Sequence, residues 1–171
     1  MKRIMVLNGA ARKNGNTAAL IKAFAEGAES AGNVIQEFYL QDMDIRGCMG
    51  CEGCSKVKKG TSNPCVQPDD MQKINEAFVQ SDVVVFASPV YFWTISGPLK
   101  TAADRLYAEL RHLGYDGFPR ESVLLMTAGG NDYSQALTWY RTFERNLSWR
   151  NRGEVLGTGK TKEAYSLGRT I

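Results

Sequence analysis

Four cysteines, the only ones in the chain, lie within eighteen residues, at Cys48, Cys51, Cys54 and Cys65. Two residues separate Cys48 from Cys51 and Cys51 from Cys54, and ten residues separate Cys54 from Cys65. Two-residue spacing lets a short loop turn successive thiolates toward one point, where a fourth can complete a tetrahedral zinc site or a [4Fe-4S] site. The pattern therefore favours a metal or iron–sulfur centre. Reduced, metal-free thiols and redox-active disulfides are the alternatives.

The first residues favour a reducing compartment for these thiols. Met1, Lys2 and Arg3 run directly into a short apolar stretch and then Asn8, which does not resemble a signal peptide. The sequence also lacks an apolar run near the roughly 20 residues that a membrane-spanning helix needs. We therefore expect a cytoplasmic protein with no membrane partner.

Charge and histidine content exclude several other classes of function. The formal net charge is +3 at pH 7 and the basic residues are dispersed, so no nucleic-acid surface is expected. A local anionic ligand fits this charge better. His112 is the only histidine, which excludes His-rich zinc sites and argues against a Ser-His or Cys-His catalytic pair. We expect it on a solvated surface near a helix end.

Apolar runs rich in β-branched residues alternate with helical periodicity, a pattern typical of a parallel sheet covered by helices on both faces. Strands are predicted over residues 3–7, 33–40, 82–87, 122–127 and 154–156. Helices are predicted over residues 17–30, 97–110 and 133–147, with a short one opening at 68–69. Residues 83–86 are contiguously apolar and predict a buried central strand. The tail after Gly159 has room for only two helical turns, so we expect uncovered sheet surface and hence oligomerisation.

Three predicted strand ends carry distinctive loops, and ligands of open parallel sheets bind beyond these ends. The first loop, residues 8–17, combines small residues, cations and a hydroxyl just before a helix, which predicts a phosphate cradle. It is neither a Walker loop nor a GxGxxG fingerprint, because five residues separate Gly9 from Gly15 and Asn16 stands where lysine is required. Residues 157–161 resemble the end of a Walker motif but lack its first glycine, so we interpret them as unrelated to nucleotide binding.

The second loop, residues 88–96, has three consecutive aromatic residues at the mouth of the buried strand. Aromatic rings are costly to expose, so this loop predicts a flat aromatic ligand, a subunit contact, or both at once. The third loop, residues 127–132, is small enough for backbone amides to approach a ligand edge.

Together, the segments GAARKNGNT, CMGCEGC, SPVYFWTISGPLKTAADR and TAGG resemble the flavodoxin-like NAD(P)H-dependent FMN reductases, and the cysteines resemble the iron-sulfur flavoprotein branch of that family. The resemblance implies an α/β flavodoxin-like three-layer sandwich with a five-stranded parallel sheet in the order 2-1-3-4-5. It also implies a single FMN-binding domain over residues 1–171 with a cysteine-rich insertion at about 47–66.

The same resemblance implies the positions of the cofactor contacts. The FMN phosphate would be surrounded by Gly9, Ala10, Arg12, Asn14, Asn16 and Thr17. The isoalloxazine would be lined by Pro89, Val90, Tyr91, Phe92 and Trp93, and its other edge by Thr127, Ala128, Gly129 and Gly130. Cys48, Cys51, Cys54 and Cys65 would be the ligands of a [4Fe-4S] cluster.

Two departures from the family pattern affect these expectations. The family usually has Ser and Pro where this chain has Ala10 and Ala11, so one hydroxyl contact to the phosphate is lost and FMN is expected to bind more weakly. The ten-residue gap before Cys65 exceeds that of the compact cluster motif. A longer loop adds only about 0.6 kcal/mol of closure free energy per doubling, so the cluster remains compatible with the sequence.

The implied function is an FMN-dependent oxidoreductase that takes electrons from NAD(P)H. The acceptor would be a flavin, a quinone or an electron-transfer partner, reached through the cluster where one is bound. A homodimer or homotetramer is expected, and no residue is predicted to be an acid–base catalyst. The alternatives are a zinc-stabilised interaction module and a flavodoxin-like electron carrier without its own NAD(P)H activity.

Overall fold

In the computed structural model, which describes residues 1–58, 60–61, 63–114 and 120–171, five strands form one parallel sheet. The strands are β1 (Arg3–Asn8), β2 (Val34–Tyr39), β3 (Val83–Pro89), β4 (Glu121–Thr127) and β5 (Arg150–Leu156). The helices are α1 (Asn16–Ser30), α2 (Met71–Gln80), α3 (Gly97–Arg105), α4 (Tyr107–Leu113), α5 (Ser134–Asn146) and α6 (Thr161–Arg169). The strand order is β2-β1-β3-β4-β5, so the predicted flavodoxin-like topology is confirmed.

Alternate residues of the strands build two separate cores, one on each face of the sheet. Met5, Leu7 and Phe86 face the layer formed by α2 to α5. Val6 and Val85 face the layer of α1 and α6. Residues 83–87 of β3 are fully buried, as predicted for a central strand. The molecule is therefore a three-layer sandwich, and none of the described helices is both long and apolar enough to cross a membrane.

Several predicted element boundaries were wrong. The helix expected over 97–110 divides into α3 and α4 at Leu106, which lies between them with φ −61° and ψ −17°. β5 begins at Arg150, four residues before the predicted start. The prediction missed these residues because this polar edge strand carries little hydrophobic signal.

The prediction for His112 was also wrong. His112 is buried, not solvated, and its Nε2 accepts a hydrogen bond from the amide of Gly60 at 2.8 Å.

The C-terminal helix does not leave the sheet uncovered, so that prediction was also wrong. α6 crosses α1 closely at Gly27 and Gly168, where an added Cβ would clash with the backbone of the other helix. Beneath these helices, Leu125 and Val155 are buried. The nine residues of α6 are sufficient because two glycines allow the helices to approach closely.

Candidate functional site

The three distinctive loops meet at the carboxyl edge of the sheet, since β1, β3 and β4 are neighbours. The hydroxyl groups of Thr17 and Thr127 lie 2.7 Å apart and join the first loop to the third. The amide of Val90 donates to the carbonyl of Thr127 at 2.7 Å and joins the second loop to the third. The loops therefore form one connected surface, which we call the loop site.

The first loop ends at the amino terminus of α1. Gly15 precedes this helix, and no side chain in the described part of the molecule caps it, so its first amides remain available. Arg12, Asn14 and Asn16 are exposed around this terminus. Uncapped amides, the helix dipole and an exposed guanidinium together provide what a phosphate group requires.

The remaining residues of the predicted cradle are buried and act inside the protein. Ala10 donates its amide to Asn8 Oδ1 at 2.9 Å, and its methyl group is covered. A Cβ added to Gly9 would lie 2.8 Å from that of Leu99, so glycine is needed where β1 approaches α3. Thr17 is buried by its contact with Thr127. These residues shape the loop, while the exposed ones face solvent.

The aromatic loop is a tight turn in an unusual conformation. Tyr91 and Thr94 exchange backbone hydrogen bonds of 3.0 and 3.2 Å. Between them, Phe92 and Trp93 have φ angles of 46° and 65°. Such angles favour glycine or asparagine and cost bulky residues roughly 1–2 kcal/mol each. The turn nevertheless exposes 89% of Phe92 and 58% of Trp93. A strained turn that presents two bare rings is typical of a binding surface.

Hydrogen bonds of two serines hold the base of the aromatic loop. The hydroxyl of Ser88 accepts the amide of Ser96 at 2.9 Å and donates to the carbonyl of Pro89 at 2.7 Å. Ser96 in turn caps α3 by accepting from the amide of Leu99 at 3.4 Å. Pro89 and Val90 are half-buried at this base, which fixes the turn relative to the sheet.

The third loop leaves open space above the sheet. Thr127 is buried and Ala128 half-buried, whereas Gly129 and Gly130 are exposed. A Cβ added to either glycine would meet no atom of the described residues within 4 Å. Asp132 closes the loop by accepting the amide of Ser134 at 2.9 Å, and this bond holds the pKa of its carboxyl below the usual range. Because no atom of the described residues lies beside the two glycines, that space is open to solvent and to a ligand.

The four cysteines line one cavity of about 190 Å³. Cys48 and Cys51 are exposed, Cys54 and Cys65 are half-buried, and all four are free thiols. Burial, reinforced by the neighbouring thiols, raises the pKa of Cys54. The thiols surround the cavity without converging: within the described ranges, no three cysteine, histidine or acidic side chains meet as metal ligands. The donor set suits a zinc ion or an iron–sulfur cluster, either of which would have to draw the thiols together.

A buried ion pair attaches this cysteine segment to the body of the protein, and the sequence patterns did not single it out. Arg105 donates to the two carboxylate oxygens of Asp69 at 2.6 and 3.0 Å. The same guanidinium donates to the carbonyl of Arg46 at 2.7 Å and lies 3.4 Å from Cys65 Sγ. One side chain of α3 thus contacts both ends of the insertion.

Asp69 completes this attachment. Its carboxylate also accepts the amides of Arg46 at 3.1 Å and Met71 at 3.2 Å. Burial opposes its ionisation, but the hydrogen bonds and charge of Arg105 and these amides outweigh that effect, so the pKa of Asp69 lies below its ordinary value. The carboxylate therefore stays ionised and paired at neutral pH. An aspartate directly after Pro68, together with an arginine inside an apolar helix face, was the available sequence signal.

Comparison with known proteins assigns this arrangement to a family. The sequence model described as NADPH-dependent FMN reductase matches residues 2–143. An iron-sulfur flavoprotein of Archaeoglobus fulgidus is 34% identical over 106 residues, which are 62% of this chain and 46% of that protein. A Bacillus subtilis protein whose name describes an NAD(P)H-dependent FMN-containing oxidoreductase is 27% identical over 166 residues, 92% of this chain and 85% of that one.

Solved structures agree at the level of the fold. An NAD(P)H:quinone oxidoreductase from Methanothermobacter marburgensis superposes with a TM-score of 0.72 at 17% identity, covering 99% of this chain and 96% of that one. The chain spans about half the length of the iron-sulfur flavoproteins that it matches first.

Proposed function

The chain belongs to the NADPH-dependent FMN reductase family, and we propose that it is an FMN-dependent oxidoreductase that takes electrons from NAD(P)H and passes them to a small acceptor or an electron-transfer partner. The observation that carries the proposal is the loop site. There the uncapped terminus of α1 lies on the same sheet edge as the strained aromatic turn. A phosphate-bearing flat aromatic molecule would satisfy both features.

In this proposal the chain's own residues bind and orient. Arg12 and the first amides of α1 hold the phosphate, with Asn14 and Asn16 beside it. Phe92 and Trp93 cover the ring, and the open space at Gly129 and Gly130 admits its other edge. Bound FMN supplies the hydride chemistry, and the protein supplies position and electrostatics. Single-domain organisation over residues 1–171, a cytoplasmic location and a homo-oligomer stay predictions.

We further propose that the four cysteines hold a [4Fe-4S] cluster that relays electrons to the acceptor. The shared cavity of the four thiols and the similarity to iron-sulfur flavoproteins support it. Iron, sulfide and zinc analysis of protein purified without oxygen is the test. Iron and sulfide in about equal amounts, lost in Cys51→Ala, are expected. Zinc in their place would favour the zinc-stabilised interaction module.

The flavin function is tested by titrating FMN into the anaerobic protein and then measuring NADH and NADPH oxidation. Flavin fluorescence should be quenched on binding, and one of the two nucleotides should be oxidised. Arg12→Ala should weaken FMN binding at least tenfold because it removes a phosphate contact. Arg169→Ala, which changes an exposed arginine at the far end of α6, is the matched control. The proposal fails if FMN neither binds nor supports nucleotide oxidation.

The aromatic turn gives a second prediction. The double substitution Phe92→Asn and Trp93→Gly should increase the free energy of unfolding by about 2 kcal/mol, because these residues favour positive φ. The same change should weaken FMN binding at least tenfold, because both rings are lost. Urea unfolding and flavin titration measure the two effects. Tyr165→Asn, at a partly exposed aromatic of α6, should leave FMN affinity unchanged. Unaltered FMN affinity in the double variant would remove the turn from the site.

A further inference from the structure

A second cavity, of about 240 Å³, lies away from the loop site. We call it the α2–α4 cavity, because α2 and α4 form two of its walls. Residues 60, 61 and 63, which belong to the unusually long gap before Cys65, form another wall. The amide of Gly60 donates to Nε2 of His112 and fixes this wall against α4.

Three side chains that line this cavity carry buried polar atoms that have no hydrogen-bond partner among the described residues. Asn75 is 1% exposed, and in the part of the chain that the structure describes neither its Nδ2 nor its Oδ1 has a hydrogen-bond partner. Glu109 is 3% exposed, and its Oε1 has none. The Oδ1 atom of Asn63 is also unpartnered. Because folded proteins pair nearly all such atoms, these four indicate a ligand or ordered water that completes them.

The types of the unpartnered atoms favour a positively charged ligand. Three are oxygen acceptors, on Asn63, Asn75 and Glu109, and only one is a donor, the amide nitrogen of Asn75. No lysine or arginine is among the described residues that line the cavity. Glu76, the other acidic residue there, accepts a hydrogen bond from Asn63 Nδ2 at 3.0 Å. His112 uses Nε2 to accept the amide of Gly60.

Oxygen acceptors around an unpaired carboxylate suit a hard cation. Divalent magnesium, manganese and calcium bind carboxylate and amide oxygens, and magnesium usually retains several of its waters. Since one water occupies about 30 Å³, a cavity of about 240 Å³ has room for an ion with part of its hydration shell. One carboxylate with two amide oxygens and water is a site of this kind.

We propose that the α2–α4 cavity binds a partly hydrated divalent cation through Glu109 and the side-chain amide oxygens of Asn75 and Asn63. The cavity is separate from the loop site and shares no lining residue with the cavity of the cysteines. A cation bound there would hold Gly60, Thr61 and Asn63 against α2 and α4. The long gap in the cysteine pattern would then serve to build this second site.

The experiment titrates MnCl₂ alone into the chelator-treated protein without FMN and follows the electron paramagnetic resonance signal of free Mn²⁺. One bound ion per chain, displaced by MgCl₂, is the expected result. Glu109→Gln and Asn63→Ala should each weaken binding at least tenfold, and the second variant is available if the first does not fold. Glu163→Gln, at an exposed glutamate of α6, should bind as the unmodified protein does.

Cys54→Ala separates this cavity from the thiols and should leave Mn²⁺ binding unchanged. The proposal is overturned if no ion binds at millimolar MnCl₂, which would assign the cavity to water. Equal affinity in Glu109→Gln, or loss of binding in Cys54→Ala, would also overturn it. Because FMN is absent throughout, no outcome depends on the proposed oxidoreductase activity.

Discussion

Replacing Arg105 by methionine is expected to abolish the incorporation of iron and sulfide at the four cysteines, which we call loading. It is also expected to lower the free energy of unfolding by about 3–5 kcal/mol. The substitution leaves the fully buried carboxylate of Asp69 without its cation, and breaking one side of a buried ion pair has this magnitude. It also removes the N–H groups that face the carbonyl of Arg46 and the sulfur of Cys65. Iron and sulfide content after anaerobic purification, together with urea unfolding, measure the two effects.

A second variant separates loading from general stability. In Asp69→Asn with Arg105→Met, the buried charge is gone, so much of the lost stability should return. Loading should not return, because Cys65 and Arg46 still lack the guanidinium. Lys100→Met, which breaks an exposed ion pair with Asp104 on the same helix, is the matched control and should change little. If the double variant loads normally, Arg105 acts only through Asp69 and does not position Cys65.

Arg105 also illustrates which part of the site could be predicted from sequence. The cysteine spacing indicated a common site, and the thiols do line one cavity. The attachment to the core was not predicted, because an arginine within a helix is ordinarily a surface residue. Its burial depends on Asp69, 36 positions earlier, and this pairing arises only when the insertion folds back on α3. Neither partner has a local pattern that identifies the other.

The fold was predictable where burial dominates. The contiguous valines of β3 indicate a strand buried on both faces, and the helical periodicity of α1 indicates a helix with one buried face. Both elements are present in the structure. Prediction failed where polar interactions decide. β5 begins with charged residues that pair at the sheet edge, such as Arg152 with Glu121. The buried ring of His112 accepts a hydrogen bond from the loop amide of Gly60. A contact of this kind cannot be predicted from hydrophobic periodicity.

The aromatic turn was also predictable only in part. Three consecutive aromatic residues predicted a ligand or a subunit contact at this sheet edge, and the structure exposes Phe92 and Trp93 there. The positive φ angles of Phe92 and Trp93 were not predictable, because turns with such angles usually contain asparagine and glycine. The sequence here contradicts the local conformation, and such contradictions concentrate at functional sites. The contradiction is therefore informative only once the backbone is known.

Replacing Glu109 by glutamine is expected to stabilise the metal-free protein by about 2–3 kcal/mol at pH 8. Burial raises the pKa of Glu109 from 4.5 to about 7. Between these values the folded protein holds a proton that the unfolded chain has released, so the free energy of unfolding falls as the pH rises and levels off above about pH 7. Each pKa unit corresponds to about 1.4 kcal/mol. Glutamine cannot ionise and removes this loss.

Urea unfolding at pH 4, 6 and 8 in the presence of EDTA measures the effect. The two proteins should be nearly equally stable at pH 4 and should diverge as the pH rises. Asp69 and Glu121, whose pKa values are lowered, titrate in the opposite sense, but they are common to both proteins and cancel in the difference. Glu163→Gln should follow the unmodified protein. Parallel pH profiles for Glu109→Gln and the unmodified protein would show that Glu109 is ionised in the folded state without cost, which its unpartnered oxygen argues against.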